Sequence, residues 1–316
     1  MAIGEPGISM QPKVSIIILI LEDTRCFIDC IASLNKITYG NFDIFVVHNG
    51  PKSKALEKKL ALLSERITEV IDTGENLGFA RGNNIGIRQA LRKGAKYILI
   101  LNNDTVVSPD FLDILIDAGK ENPDAGMLGP NIYFHAEPQK IWFAGAKFDE
   151  ETGRVSFPKA GKIAGDECPK PEESDFITGC AVLVKKEVVD KIGLLDERFF
   201  IYWEDVDWGL RSKRVHYRNL VVPSSRVWHK VSITVGGENS AFKVYHKTRN
   251  HLLFVSLHAP NTKAKLMLRF IRDIAWLLLK SSELSRIQKA RAYFAAIIDY
   301  HLGKTGRGPH WLWANN

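Results

Sequence analysis

Val14 to Leu21 reads VSIIILIL, an apolar and β-branched run broken by one serine. Such a run fits a strand covered on both faces, and a doubly covered strand calls for a parallel sheet with helices above and below it. A membrane-spanning helix needs about 20 apolar residues, so this run is too short to be one. It also lacks the charged start and cleavage site of a signal peptide. The chain is therefore expected in the cytoplasm, either free or held peripherally on the inner face of the cell membrane.

Helical and strand patterns alternate behind this run. Cys26, Phe27, Cys30, Ile31 and Leu34 recur at helical spacing, and Phe42 to Val47 (FDIFVV) is a second strand ended by the turn Asn49-Gly50-Pro51. Next come a Lys/Leu-patterned helix over Lys54 to Arg66, a short strand at Thr68 to Ile71, a helix from Arg81 to Gly94 and the strand Lys96 to Leu101. Ser108-Pro109 should open a further helix, with serine as N-cap and proline at the first helical position. This βαβαβαβα order predicts an α/β fold, a doubly wound, mostly parallel sheet that takes ligands at the carboxyl ends of its strands. The regularity stops near Gly126. Residues 130–175 suggest short antiparallel strands and loops, and helices return at Lys185 to Ile192, closed by Gly193, and at Glu204 to Arg214. Lys263 to Tyr300 is helical, basic and aromatic-bearing.

At 316 residues the chain exceeds the usual single-domain size, so one large domain with an appendage, or two domains, is expected. With 45% hydrophobic and 25% charged residues, disordered, collagen-like and polytopic membrane classes are excluded. Lysine and arginine outnumber aspartate and glutamate by 43 to 36, a net charge of +7 that suits an anionic partner such as a phosphate-rich ligand, nucleic acid or acidic lipid. No nucleic-acid-binding motif is present, which sets that partner aside. The four cysteines, Cys26, Cys30, Cys168 and Cys180, include no C-x-x-C pair, so buried thiols are expected rather than zinc or disulfides.

Five segments carry candidate chemistry. Leu101 to Thr105 (LNNDT) ends a hydrophobic strand, where Asp104 can hold a hard divalent cation that grips phosphate oxygens; the alternative is an Asx turn. Asn76 to Ile87 (NLGFARGNNIGI) places glycines at a helix start, which allows close backbone approach and favours anions; it matches neither the P-loop nor the dinucleotide fingerprint, and a plain glycine-tolerant turn would account for it. In FFIYWEDVDW the acids Glu204, Asp205 and Asp207 follow Phe199, Phe200, Tyr202 and Trp203. Acids there can complement a helix dipole, or supply a general base beside rings that stack on sugar. Trp228-His229-Lys230 adds a histidine, a residue more often structural than a ligand, and Tyr245 to Asn250 (YHKTRN) adds Lys247 and Arg249, which can bind phosphate or lie on a solvated helix face.

In their order along the chain these segments resemble family 2 glycosyltransferases of the GT-A fold, in particular the rhamnosyl- and galactofuranosyl-transferase-like members. The resemblance spans roughly Val14 to Val255. It implies a GT-A catalytic domain over 13–258 behind a flexible tail at 1–12, with a C-terminal helical extension at 259–316. NLGFARGNN is similar to the family's glycine-rich donor segment, with Asn76, Gly78, Arg81 and Asn83 as donor contacts. NND is similar to its D-x-D motif, with Asp104 as the retained metal ligand and Asn102 in the weaker place. The aromatic–acid segment implies Asp205 as catalytic base, Trp203 and Tyr202 as acceptor-orienting rings, and Glu204 and Asp207 as residues that tune the base or bind an acceptor hydroxyl. His229 would complete the metal site for Mn2+ or Mg2+, and Tyr245, Arg249 and Asn250 match an element near the donor diphosphate. Two departures fall at positions that contact base and ribose in the family: Ile20, Leu21 and Glu22 after the first strand, and His48, Asn49, Gly50 and Pro51 after the second. The implied activity is inverting, divalent-metal-dependent transfer from a nucleotide-diphosphate sugar to a glycan or lipid-linked acceptor, in cell-envelope polysaccharide synthesis. The alternative is a non-catalytic sugar- or nucleotide-binding protein on the same fold.

In LMLRFIRDIAWLLLK, Leu266, Phe270, Ile274, Leu277 and Leu278 follow a helical spacing with Arg269, Arg272 and Lys280 between them. Such a helix can lie in a membrane interface, or its stripe can pack on the catalytic domain or on a second subunit of a homodimer.

Overall fold

The computed structural model describes residues 11–21, 25–63, 67–165, 170–231, 240–280 and 285–313. Glu22, Cys168, residues 64–66 of the expected second helix and residues 1–10 of the expected tail lie outside them. Gln11 and Pro12, at the end of that tail, are tied down: Asn41 donates to the Gln11 carbonyl at 2.7 Å and the Tyr39 hydroxyl to the Pro12 carbonyl at 2.5 Å.

The first half alternates as its hydrophobic periods require: β1 (Val14–Ile20), α1 (Arg25–Leu34), β2 (Phe42–His48), α2 (Lys54–Leu62), β3 (Glu69–Asp72), α3 (Gly78–Arg92) and β4 (Tyr97–Leu101). β1 pairs in parallel with β2 on one side and β4 on the other, so its side chains meet helices on both faces and none can be charged. α3 lies close on β1 because it carries glycine at the contact: a Cβ on Gly86 would stand 2.4 Å from Ile17.

Beyond β4 the chain makes β5 (Thr105–Val107), α4 (Phe111–Glu121), β6 (Ala125–Phe134), the short strands β7 (Ile141–Phe143), β8 (Lys147–Asp149), β9 (Arg154–Ser156) and β10 (Glu172–Ser174), then β11 (Ala181–Lys185). Among the described residues the main sheet runs β10-β12-β6-β11-β4-β1-β2-β3, once β12 (Arg218–His229) is added, with β5 on β12 and β7 on β6. β11 is antiparallel to both β4 and β6, while β12 returns parallel to β6, so the sheet is mixed at its centre and parallel on the β1 side. Ser108-Pro109 does not open α4. The helix starts at Phe111 with Asp110 in the cap position, because β5 draws this stretch into the sheet and the Ser108 amide donates to the Arg226 carbonyl.

The remaining helices are α5 (Lys186–Ile192), α6 (Glu204–Arg214), α7 (Ala241–His258), α8 (Lys263–Leu279) and α9 (Arg286–His301). The helical stretch expected over Lys263 to Tyr300 is made of α8 and α9. α7 is buried between the sheet and the C-terminal pair, and the Tyr245 hydroxyl on α7 donates to Asp299 on α9 at 2.8 Å. Leu266, Phe270, Ile274 and Leu277 are all buried, so this stripe of α8 packs on the protein rather than facing outward, and Leu278 lies off it. No helix among the described residues is long and apolar enough to cross a membrane.

Candidate active site

The site is built on the edge of the sheet where β4 and β12 end and β11 begins. Register places Thr105 of β5 opposite His229 of β12, which sets the neighbouring Asp104 against the imidazole: His229 Nε2 lies 3.1 Å from Asp104 Oδ1. The Lys230 amide donates to the Asp104 carbonyl at 2.8 Å, and the Asn102 amide donates to the Cys180 carbonyl at 2.8 Å. Burial alone would push His229 down, but the Cys180 thiol and the Asp104 carboxylate together raise it to about 10. Cys180 is itself raised by burial, against the pull of His229, and both Asp104 and Asp205 act on it. This thiol is the common neighbour of the two halves of the site.

Asp205 sits in the first turn of α6. Its Oδ2 accepts from the Gly179 amide at 3.0 Å and its Oδ1 from the Val206 amide at 2.9 Å. Burial raises its pKa above the ordinary aspartate value, and these two amides oppose that rise. Glu204 is more deeply buried, and its Oε2 has no hydrogen-bond partner. Burial first, and the charge of Asp205 second, hold the Glu204 carboxyl well above the usual range, so it gives up its proton less readily than a free glutamate. Asp207 is placed differently. One oxygen accepts from Arg211 at 2.8 Å and the other lies 2.8 Å from His258 Nε2, so both serve a buried structural network.

The loop before α6 is conformationally strained. Phe200, Tyr202 and Trp203 have φ of 63°, 71° and 79°, a region that costs a non-glycine residue about 1–3 kcal/mol. Arg249 and Asn250 of α7 hold it there. Asn250 Nδ2 donates to the carbonyls of Phe199, Ile201 and Tyr202 at 2.5, 2.7 and 2.9 Å, and Arg249 donates to Phe199 at 3.1 Å and to Gly306 at 2.7 Å. Both side chains are buried and committed to backbone carbonyls rather than turned toward a diphosphate. Trp203 is stacked on His251, ring centroids 4.1 Å apart.

The glycine-rich segment is closed over the same loop. Asn76 Oδ1 accepts from the Gly78 amide at 2.9 Å, and Asn49 Oδ1 from the Leu77 amide at 2.9 Å. Gly78 has φ of +84°, and a Cβ there would stand 2.5 Å from the Phe200 ring. The Phe200 carbonyl accepts from the amides of Phe79 and Ala80 at 2.6 and 3.2 Å. The start of α3 is therefore capped by protein and is not the open anion site its glycines suggest. Arg81 is exposed, 3.6 Å from Glu197, while Asn83 is buried with its Nδ2 on the Phe79 carbonyl at 2.9 Å and its Oδ1 unpartnered.

The structure thus brings Asp104, His229 and Asp205 around one segment, Thr178-Gly179-Cys180, and spends Asp207, Arg249 and Asn250 on the scaffold. Sequence reading missed the role of Gly179, and it named Asn49 only in a turn and among the departures after the second strand, not as the acceptor for the Leu77 amide. His48 and Asp72 close the ends of β2 and β3 with Nδ1 and Oδ1 2.7 Å apart, and His48 Nε2 is buried without a partner. On the other side of the aromatic loop lies a cavity of about 480 Å³, lined by Trp203 and His251 and by the cations Arg154, Lys243, Lys247 and Arg269.

Among the described residues no three His, Cys, Asp or Glu side chains cluster as a complete metal site. The pair Asp104 and His229 nonetheless fits a hard or borderline divalent ion. It offers a carboxylate and an imidazole in hydrogen-bonding proximity, the partial protein set that Mg2+-type sites complete with substrate phosphates and water.

A mixed α/β sheet with acid and imidazole at its strand ends and a carboxylate on a neighbouring helix is the arrangement the resemblance to GT-A glycosyltransferases leads one to expect. In keeping with this, the fold is similar to that of GalNAc-T7 solved with UDP, GalNAc and Mn2+ (TM-score 0.64, 15% identity, 97% of this chain but 57% of that one). It is also similar to residues 1–349 of TarS of S. aureus in complex with UDP-GlcNAc (TM-score 0.56, 12% identity, 92% of each chain). The profile "Glycosyl transferase family 2" matches residues 15–193, and the chain belongs to that family. It is 26% identical over 290 residues to the dTDP-rhamnosyl transferase RfbF of Shigella flexneri, covering 88% of this chain and 92% of that one. It is 24% identical over 254 residues to the N-acetylglucosaminyl-diphospho-decaprenol L-rhamnosyltransferase of Mycobacterium tuberculosis, covering 75% and 82%.

Proposed function

We propose that this glycosyltransferase moves a sugar, rhamnose before others, from a nucleotide-diphosphate donor to a hydroxyl of a lipid-linked glycan acceptor in cell-envelope polysaccharide synthesis, with inversion. The observation that carries this reading is Asp205: a carboxylate oriented by two backbone amides, raised by burial into a more basic range, next to a glutamic acid that burial holds above its own ordinary range. Asp205 takes the proton of the acceptor hydroxyl as its oxygen attacks the anomeric carbon. Attack from the face opposite the departing diphosphate, in one displacement, inverts that carbon. The strained loop and its clamp, Arg249 and Asn250, hold Asp205 in place through the start of α6. Asp104 and His229 would hold Mn2+ or Mg2+, which when bound supplies charge neutralisation at the leaving diphosphate. Because the free imidazole is pulled up to about 10 by its neighbours, ion affinity should weaken as pH falls.

The rhamnosyltransferase names of the two relatives support the donor sugar, and the diphospho-decaprenol in the second supports the acceptor class. The cavity beside Trp203 adds support, since four cations and no acid line it and an acceptor diphosphate would meet them there. The test is release of nucleoside diphosphate from dTDP-rhamnose in the presence of an N-acetylglucosaminyl-diphospho-polyprenol. Asp205→Asn should keep donor affinity and lose about 10²–10⁴-fold in turnover. Near-normal turnover of that variant at saturating substrates would remove Asp205 from the role and leave the reading without its main support.

A further inference from the structure

The described residues expose fifteen large hydrophobic side chains, and nine of them fall between Leu268 and Leu302. Single exposed apolar residues are ordinary, whereas stripes of them mark a surface that is covered in use. α8 is apolar on two sides. One side is the buried stripe of Leu266, Phe270, Ile274 and Leu277; opposite it Leu268, Ile271 and Leu279 project outward, with Leu268 67% and Leu279 81% exposed. On α9, Ile287, Phe294 and Ile298 stand seven and four residues apart, one stripe along the helix, and all are exposed. The two helices pack on each other, with Phe270 and Tyr293 ring centroids 5.7 Å apart.

Charge identifies what covers this surface. Residues 263–316 hold ten Lys and Arg against three Asp and Glu, so the whole net charge of +7 resides there and the 262 residues before it are balanced. Of the acids, Asp273 lies 3.9 Å from Arg269 and 4.0 Å from Arg272, and Asp299 accepts from Tyr245 and lies 3.1 Å from Lys304. Arg272, with its side chain 75% exposed, and the exposed Trp276 border the outer stripe of α8. A second copy would bring the same positive rim against its own kind. An anionic bilayer offers phosphates to the rim and acyl chains to the stripe, with tryptophan at the level between them.

We propose that the outer face of α8 and α9 seats this protein on an anionic membrane surface, without crossing it. The inference needs neither donor nor acceptor, so it stands or falls apart from the reaction. The experiment is co-flotation of the full chain with phosphatidylcholine vesicles, with and without phosphatidylglycerol, at low and high salt. The full chain should float with the anionic vesicles, remain behind with the neutral ones and detach in high salt. The triple variant Leu268→Ser/Ile271→Ser/Leu279→Ser removes only exposed side chains, so it should melt with the parent and lose at least about tenfold in partitioning, given the apolar area withdrawn. Arg272→Glu/Lys280→Glu should weaken anionic binding alone. Failure of the parent to float, equal binding to neutral vesicles, or undiminished binding by the triple variant would each overturn the proposal. A parent dimer that becomes a monomer in the triple variant would overturn it in favour of a second copy.

Discussion

Asn250→Ala separates a clamp from a diphosphate ligand. The amide nitrogen of Asn250 serves three buried carbonyls of the loop that carries Phe200, Tyr202 and Trp203 at positive φ. Its two protons amount to two hydrogen bonds, and each carbonyl left orphaned in a buried site costs about 1–3 kcal/mol. The expected loss is about 2–5 kcal/mol, since water entering the vacated space recovers part of it. For a chain of this size that is a fall in melting temperature of about 3–8 °C. Relaxation of the loop would also displace the start of α6, and a misplacement of this kind costs about 10²-fold in kcat. Asn250→Asp should do worse than alanine, because it aims a carboxylate at the same three carbonyls. Thermal unfolding followed by circular dichroism, with calorimetric titration of nucleoside diphosphate, gives both readouts. A clamp role for Asn250 requires a large stability loss and diphosphate affinity that moves by less than about 0.5 kcal/mol. An unchanged melting temperature together with weakened diphosphate binding would refute it.

Glu204 is protonated in the folded protein at pH values where the unfolded chain has released that proton, so it makes stability fall as pH rises from the ordinary glutamate range. Glu204→Gln should flatten that decline, exceeding the parent in stability at alkaline pH with the difference closing as pH is lowered; a difference independent of pH would count against it. Gly78→Ala meets positive φ and the Phe200 ring together, so urea unfolding should report more than the about 1–2 kcal/mol that the backbone alone costs, and an unshifted midpoint would deny the close approach. Asp104→Ala and His229→Ala should each weaken manganese-dependent nucleoside diphosphate binding in calorimetry, and unchanged affinity in both would leave the pair purely structural.

The β1 side of the sheet was legible because each element there has one period and a buried face: VSIIILI can only be a doubly covered strand, and its neighbours follow in order. Local signals failed where distant chain took over. Ser108-Pro109 has the form of a helix start, but β12 claims that stretch through Arg226, more than a hundred residues away. Arg249 and Asn250 have the form of an anion site, yet carbonyls about fifty residues upstream occupy them, and backbone carbonyls leave no mark in a sequence. On α8 the conspicuous apolar stripe faces inward and a second stripe faces out. One helix wheel cannot say which of two apolar sides finds the protein. Asp104, Asp205 and His229 stood out as residue types at strand and helix ends; that they converge on Gly179 and Cys180 depended on the antiparallel β11, which alternation of strands and helices does not announce.

The double acceptance by the Phe200 carbonyl ties two distant parts of the chain into one mechanical unit. The amides of Phe79 and Ala80 lose their partner whenever the aromatic loop lifts. Their hydrogen exchange is therefore a clock for that loop: the rate at which these two positions take up deuterium measures how often the loop lifts, and whatever seats the loop more firmly must slow them both.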